Sequence, residues 1–157
     1  MEEQNKQQID FIEDSIKGIL DRLGVRYELV FQEGGDGAWF LINTDEAPLL
    51  IGEGGQNLSA LNYLVKKITE KKFPGGYPGF SLDINDYQKK KTDEIKELAR
   101  MHAQRVRYFK KEAEMRPMNA YERRIVHASL QEYPDITTES RGEGPERRVV
   151  IKPLNLV

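Results

Sequence analysis

The sequence contains no cysteine and only two histidines, His102 and His127. The lack of cysteine excludes disulfide bonds and thiolate zinc sites. No apolar run is long enough to cross a bilayer, and the first residues lack the apolar core of a signal peptide. We therefore expect a cytoplasmic protein that does not insert into the membrane. Because a Gly-x-x-x-x-Gly-Lys-Ser/Thr loop and clusters of metal ligands are also missing, the sequence predicts no enzyme, no cofactor and no metal site.

Charge of one sign dominates each part of the chain, although the net charge is only −2. Residues 1–85 hold 8 Lys and Arg against 14 Asp and Glu, whereas residues 86–157 hold 16 against 12. The first part is therefore acidic and the second part basic. Such a split predicts two modules with different electrostatic roles, and ordinary variation of charge over a solvated surface is the alternative.

Hydrophobic periodicity predicts six elements in the first part of the chain. In order, these are a helix that ends near Gly24, strands over residues 25–31 and 38–42, a short helical segment over 45–50, a helix that carries residues 58–68 and a strand over 80–84. A glycine-rich turn at residues 33–37 separates the first two strands. The predicted order is α-β-β-α-α-β.

The second part is predicted to begin with a long helix that connects the two modules. The helix is capped by Asn85 or Asp86, reaches about Ala113 and is broken before Pro117. Asn119 with Glu122 three residues later resembles a capping box for a further helix through Leu130. Strands over residues 135–140 and 147–152 follow, joined by a turn at 142–145.

Gly52, Glu53, Gly54 and Gly55 form a Gly-x-x-Gly loop between an apolar run and an amphipathic helix. Glycine has no Cβ, so the backbone N–H groups of such a loop can approach a phosphodiester closely. The N-terminus of the following helix offers an anion site to the same phosphate. A tight turn that needs glycine for its conformation alone is the alternative.

The element order, with this loop between the second and third helices, resembles a type II KH domain. KH domains bind about four nucleotides, and their loop contacts the nucleic-acid backbone. The resemblance implies that the Gly-x-x-Gly loop contacts phosphates and that Ile51 and Leu58 help to form the groove for bases. One variable position of KH loops is commonly basic, whereas here the two positions are Glu53 and Gly54. A carboxylate so close to a phosphate costs on the order of 1 kcal/mol at a solvated surface.

Arg123 and His127 are four residues apart on a predicted helix and therefore share a face. A guanidinium beside an imidazole offers both phosphate hydrogen bonds and base stacking. A chance pair on a helix surface is the alternative. The segment is similar to the small single-strand-binding domain that is named for its Arg-x-x-x-His motif. That resemblance implies nucleic-acid contacts by the motif and by nearby cations, namely Arg123, Arg124, His127, Arg147 and Arg148.

A KH domain followed directly by an Arg-x-x-x-His domain resembles the bacterial SpoIIIJ-associated protein, the Jag family, over about residues 9–153. The resemblance implies a non-catalytic regulator of bacterial cell-envelope growth or sporulation that binds single-stranded RNA, with single-stranded DNA as a second ligand. It also implies a small KH protein as partner, or a homo-oligomer. We expect an α+β fold of two small domains, residues 1–85 and 86–157. A protein-interaction adaptor that uses the KH fold mainly for dimerisation is the alternative, favoured by the acidic first part and by Glu53.

Overall fold

A computed structural model describes residues 1–35 and 37–154 and has a mixed α/β fold. The chain divides into two compact units, Met1–Gln88 and Lys89–Val157, here called the N-terminal unit and the C-terminal unit. The N-terminal unit holds 8 basic and 15 acidic residues, and the C-terminal unit holds 16 and 11. Among the helices described, none combines the length and the apolar character needed to cross a bilayer.

The N-terminal unit contains a three-stranded sheet and three α-helices in the predicted order. Its elements are α1 (Glu2–Arg22), β1 (Glu28–Gly34), β2 (Gly37–Asn43), α2 (Ala47–Ile51), α3 (Gln56–Lys72) and β3 (Phe80–Ile84). Strand β2 lies in the centre, antiparallel to β1 and parallel to β3. The core consists of apolar side chains from the sheet and helices, including Ile12, Ile16, Leu20, Phe40, Ile42, Leu58, Val65, Leu82 and Ile84.

The first strand begins at Glu28, three residues later than predicted. Val25 donates its backbone N–H to the carbonyl of Leu20 and so completes the end of α1. The carbonyl of Arg26 accepts a hydrogen bond from the hydroxyl of Thr44. These two residues therefore belong to the turn after α1, although their side-chain pattern is that of a strand. The predicted turn at residues 33–37 includes Asp36, which lies outside the described residues.

The C-terminal unit pairs helices with a three-stranded antiparallel sheet. Its elements are α4 (Tyr87–Phe109), which begins just before the boundary, β4 (Ala113–Pro117), α5 (Ala120–Leu130), β5 (Ile136–Arg141) and β6 (Arg148–Pro153). The strand order is β4-β6-β5, so β6 is central. The core includes Ile95, Ala99, Ala103, Val106, Met115, Val126, Leu130, Val149 and Ile151.

The prediction was wrong at the end of the long helix. Helix α4 ends at Phe109 because Lys110 adopts a left-handed conformation with φ of 57°. Residues 113–117 then form the unpredicted strand β4, in which Ala113 lies opposite Ile151 of β6. Pro117 is tolerated there because it ends an edge strand. Phe109, which was predicted to lie on the buried face, is 63% exposed.

Helix α5 begins with the predicted capping box, which the structure confirms. The backbone N–H of Glu122 donates to Oδ1 of Asn119 at 2.9 Å, and the N–H of Asn119 donates to Oε2 of Glu122 at 3.0 Å. The Glu122 side chain is buried and its other oxygen lies 3.3 Å from Nζ of Lys91 on α4. The start of α5 is therefore fixed one residue before the Arg-x-x-x-His motif.

Candidate nucleic-acid interface

Both ring nitrogens of His127 are bound by hydroxyl groups of β5. Nδ1 lies 2.6 Å from Oγ1 of Thr138, and Nε2 lies 3.2 Å from Oγ of Ser140. The two hydroxyl residues are two apart on the strand and so share a face. They lie opposite Ile151 and Val149, which are buried in the core. Strand β5 therefore holds the half-buried imidazole of α5 in one orientation.

The electrostatic environment favours the neutral form of His127. Burial of the ring lowers its pKa below the ordinary value of 6.5, and the positive charge of Arg123 lowers it further. A neutral imidazole donates through one nitrogen and accepts through the other, and each hydroxyl can serve as the partner of either. With both nitrogens bound within the unit, the ring can contribute stacking to a ligand more readily than a cationic hydrogen bond.

Arg123 is positioned by the loop before α5. Its Nη1 donates to the carbonyl of Met118 at 2.8 Å, while the N–H of Met118 donates to the carbonyl of Arg147 at 3.1 Å. Met118 thus joins the Arg123 side chain to the start of β6. Arg123 also influences the pKa of His127, so the two residues of the motif are neighbours as their spacing predicts. The half-buried Arg123 keeps most of its five N–H donors for a ligand.

The other predicted cations differ in how far their charges are already paired. Arg124 is exposed and makes no side-chain hydrogen bond or ion pair with the described residues. Arg147 donates to the carbonyl of Gly142 at 2.8 Å. Arg148 pairs with Glu146 at 3.2 Å and with Glu114 at 3.6 Å. A phosphate would therefore meet an unpaired charge at Arg124 but would compete with two carboxylates at Arg148.

The Gly-x-x-Gly loop of the N-terminal unit needs glycine at two positions for steric reasons. At Gly52, where φ is 73°, a Cβ atom would lie 2.6 Å from Cγ of Asn57, whose amide donates to the carbonyl of Leu49 at 2.8 Å. At Gly55, where φ is 82°, a Cβ atom would lie 2.9 Å from the ring of Tyr87. Conformation and packing thus require these glycines whether or not the loop binds phosphate.

The remaining two positions of the loop face open space. A Cβ atom at Gly54 would meet nothing within 4 Å, although φ is 60° there. Glu53 is exposed and makes no ion pair with the part of the chain that the structure describes. Helix α3 starts directly after Gly55, whose lack of a side chain leaves the first N–H groups without a side-chain cap. The loop therefore combines open backbone donors with one uncompensated carboxylate.

Sequence reasoning missed the residues that support the Arg-x-x-x-His pair. Thr138 and Ser140 hold the imidazole, and the carbonyl of Met118 binds the guanidinium. The signal for the hydroxyls was present, because Thr138 and Ser140 share one face of a predicted strand next to the predicted helix. The role of Met118 had no signal, since it depends on a backbone atom.

Comparison with known proteins agrees with the division of the chain. Residues 93–153 match the family of the Arg-x-x-x-His domain, which is named for that motif. A protein named RNA-binding protein KhpB from Clostridium symbiosum is 38% identical over 107 residues, which are 68% of this chain and 48% of that protein. The protein of the same name from Bacillus subtilis strain 168 is 32% identical over 138 residues, 87% of this chain and 66% of that protein.

A third protein with this name, from Lactiplantibacillus plantarum, is 30% identical over 138 residues. These are 88% of this chain but 42% of that protein, so the chain spans less than two thirds of the length of each of these relatives. The segment matched to the domain family includes both Arg123 and His127 and all of α5, β5 and β6. Residues 93–153 are thus matched to the Arg-x-x-x-His domain family, and the chain is similar along most of its length to proteins named RNA-binding protein KhpB.

Proposed function

We propose that the chain is a non-catalytic protein that binds single-stranded RNA, with α5 and β5 of the C-terminal unit as its main binding surface. The observation that carries the proposal is the arrangement of Arg123 and His127, which lie side by side within the segment matched to the Arg-x-x-x-His family while β5 fixes the ring. The names of the relatives support RNA as the ligand. The net charge of the C-terminal unit, with 16 basic against 11 acidic residues, favours a polyanion.

The chemistry of this surface suits an unpaired strand. An unpaired base can stack on the neutral imidazole of His127, because single strands expose the faces of their bases. The remaining N–H donors of Arg123 and the unpaired guanidinium of Arg124 can hydrogen-bond phosphate oxygens on either side of that base. A duplex would keep its bases stacked inside, and so it would gain only the phosphate contacts.

In this proposal the N-terminal unit is a type II KH domain with a weak affinity of its own. Its α-β-β-α-α-β order and the open N–H groups at the start of α3 support this assignment. Its excess of acidic residues and the exposed Glu53 oppose strong phosphate binding. The resemblance to the Jag family supports a cytoplasmic regulator of cell-envelope growth or sporulation as the biological role.

An adaptor that dimerises or binds a second KH protein through its N-terminal unit is the second candidate. One observation favours it, namely the exposure of large apolar side chains on α2 and α3. Leu49 is 62% exposed, Tyr63 is 64% exposed and Leu64 is 48% exposed. Sedimentation of the purified chain over a range of concentrations tests it, and a variant with Leu49 and Leu64 changed to serine should abolish any dimer that uses this surface.

Crosslinking of RNA to the protein in cells, followed by sequencing, separates the two candidates. The proposed function predicts enrichment of RNA over a mock purification and loss of that enrichment when Arg123 and His127 are both alanine. The adaptor predicts no enrichment in either sample. Because the variant keeps the exposed surface of α2 and α3, capture of protein partners should survive in it.

A further inference from the structure

The C-terminal end of α4 presents two exposed aromatic side chains that the proposed surface does not include. Tyr108 is 81% exposed and Phe109 is 63% exposed. Their ring centroids lie 4.9 Å apart and the rings meet edge to face at 81°. An edge-to-face pair leaves at least one face of each ring free of the other ring. Exposed aromatic groups of this size are characteristic of binding sites.

Unpaired positive charges surround this aromatic pair in sequence and on the helix. Arg105, Lys110 and Lys111 are all exposed, and none of them forms an ion pair among the residues that the structure describes. The nearby carboxylates are already engaged, Asp135 by Arg107 at 2.7 Å and Glu112 by Arg141 at 3.1 Å. The segment therefore has positive charge to spare for a ligand.

We propose that Tyr108 and Phe109 form a second stacking site for the bases of a single strand, with Arg105, Lys110 and Lys111 as its phosphate contacts. Here these five residues are called the α4 patch. Aromatic rings beside cations are the combination that binds single strands without regard to sequence. A protein interface is a poorer fit, because lysine is depleted at the centre of such interfaces. The inference rests on the proposed function, since it assumes that the chain binds single strands.

A ring-deletion variant and a ring-exchange variant test the α4 patch. Tyr108→Ala with Phe109→Ala removes both rings, whereas Tyr108→Phe with Phe109→Tyr keeps two rings and exchanges the hydroxyl. Both residues are exposed, so neither variant should alter the fold, which circular dichroism can verify. Binding of a fluorescein-labelled oligouridine of about 20 nucleotides is measured by anisotropy. The alanine variant should bind about 5- to 150-fold more weakly, as expected for one lost stacked base, and the exchange variant should equal the parent.

The outcomes distinguish failure of the patch from failure of the proposed function. If the parent binds the oligouridine and the alanine variant binds equally well, the patch is refuted while the proposed function stands. A patch that serves a protein partner would give that result. If the exchange variant loses as much affinity as the alanine variant, stacking is refuted. If the parent does not bind single strands at all, the proposed function fails and the patch fails with it.

Photocrosslinking locates the contact directly. An oligouridine that carries 5-iodouridine is irradiated with the full-length parent, and the crosslinked peptides are identified by mass spectrometry. The α4 patch predicts crosslinks at Tyr108 or Phe109 in the parent. Met101→Ala, which removes another large exposed side chain from the same helix, should leave those crosslinks unchanged. Crosslinks confined to α5 and β5 would overturn the inference and leave the proposed function intact.

Discussion

Nδ1 of His127 lies 2.6 Å from the hydroxyl oxygen of Thr138, so a side chain on β5 determines how the histidine on α5 is presented. The second hydroxyl, from Ser140, binds the other ring nitrogen at 3.2 Å. A surface imidazole would ordinarily sample several rotamers. Here the ring is ordered before any ligand arrives, which reduces the entropy lost when a base stacks on it.

Thr138→Val should weaken binding of single-stranded RNA without altering the fold. Valine keeps the β-branched shape but leaves Nδ1 of His127 without its partner, so the ring loses its fixed orientation. We expect a loss of about 0.5–1.5 kcal/mol in binding, the usual contribution of one hydrogen bond. Thr137→Val is the matched control, because Thr137 is the exposed neighbour on the other face of β5. Equal affinities for the two variants in an anisotropy titration would contradict the positioning role.

The unfolding free energy of the chain should decrease as the pH falls below about 6.5. Burial lowers the pKa of both His102 and His127 from 6.5, so the unfolded chain takes up protons before the folded chain does. The stability associated with the neutral rings is therefore complete above pH 6.5 and is lost as the pH falls toward the folded-state pKa values. Urea unfolding between about pH 8 and pH 5 measures the effect. If His102→Gln with His127→Gln shows the same decrease as the parent over this range, the histidines are not its cause.

Asn119→Ala should destabilise the C-terminal unit by about 1 kcal/mol, because it removes the side-chain cap of α5. Asn119→Ser is the matched control, since serine provides a hydroxyl oxygen for the same N–H group. Urea unfolding followed by circular dichroism compares the three proteins. Equal losses in the alanine and serine variants would mean that the cap does not carry the stability.

Glu53→Lys tests whether the Gly-x-x-Gly loop touches a phosphate. If it does, the substitution removes a repulsion and adds a contact, and the slope of log affinity against log salt should steepen by about 0.7 for single strands. Asp10→Lys makes the same change of charge on the exposed face of α1 and should leave the slope near that of the parent. Unchanged slope and affinity for Glu53→Lys would assign the loop a structural role. The N-terminal unit would then be reassigned to protein contacts.

Local sequence signals were sufficient for the elements whose ends depend on nearby residues. The capping box of Asn119 and Glu122 predicted α5 correctly because a helix N-terminus is fixed by hydrogen bonds three residues apart. The Gly-x-x-Gly loop and the α-β-β-α-α-β order were predicted from glycine placement and hydrophobic periodicity. Arg123 and His127 were brought to one face by helical spacing alone.

Elements that depend on distant partners were missed or misplaced. Strand β4 was absent from the prediction because its residues form a strand by pairing with β6, more than thirty residues later. Residues 25–27 look like a strand, but the cap of α1 and the hydroxyl of Thr44 take their backbone groups. The clamp of Thr138 and Ser140 on His127 also joins two elements, so helix periodicity could not reveal it.

The most direct test of the central claim is the affinity of Arg123→Ala with His127→Ala for single-stranded RNA. We expect the double variant to bind about 1–3 kcal/mol more weakly than the parent in an anisotropy titration, as for the loss of one stacked base. Arg116→Gln is the control for charge, because it removes one exposed arginine from the same unit outside the α5 and β5 surface. A double variant that folds normally by circular dichroism and binds RNA as tightly as the parent would contradict the account.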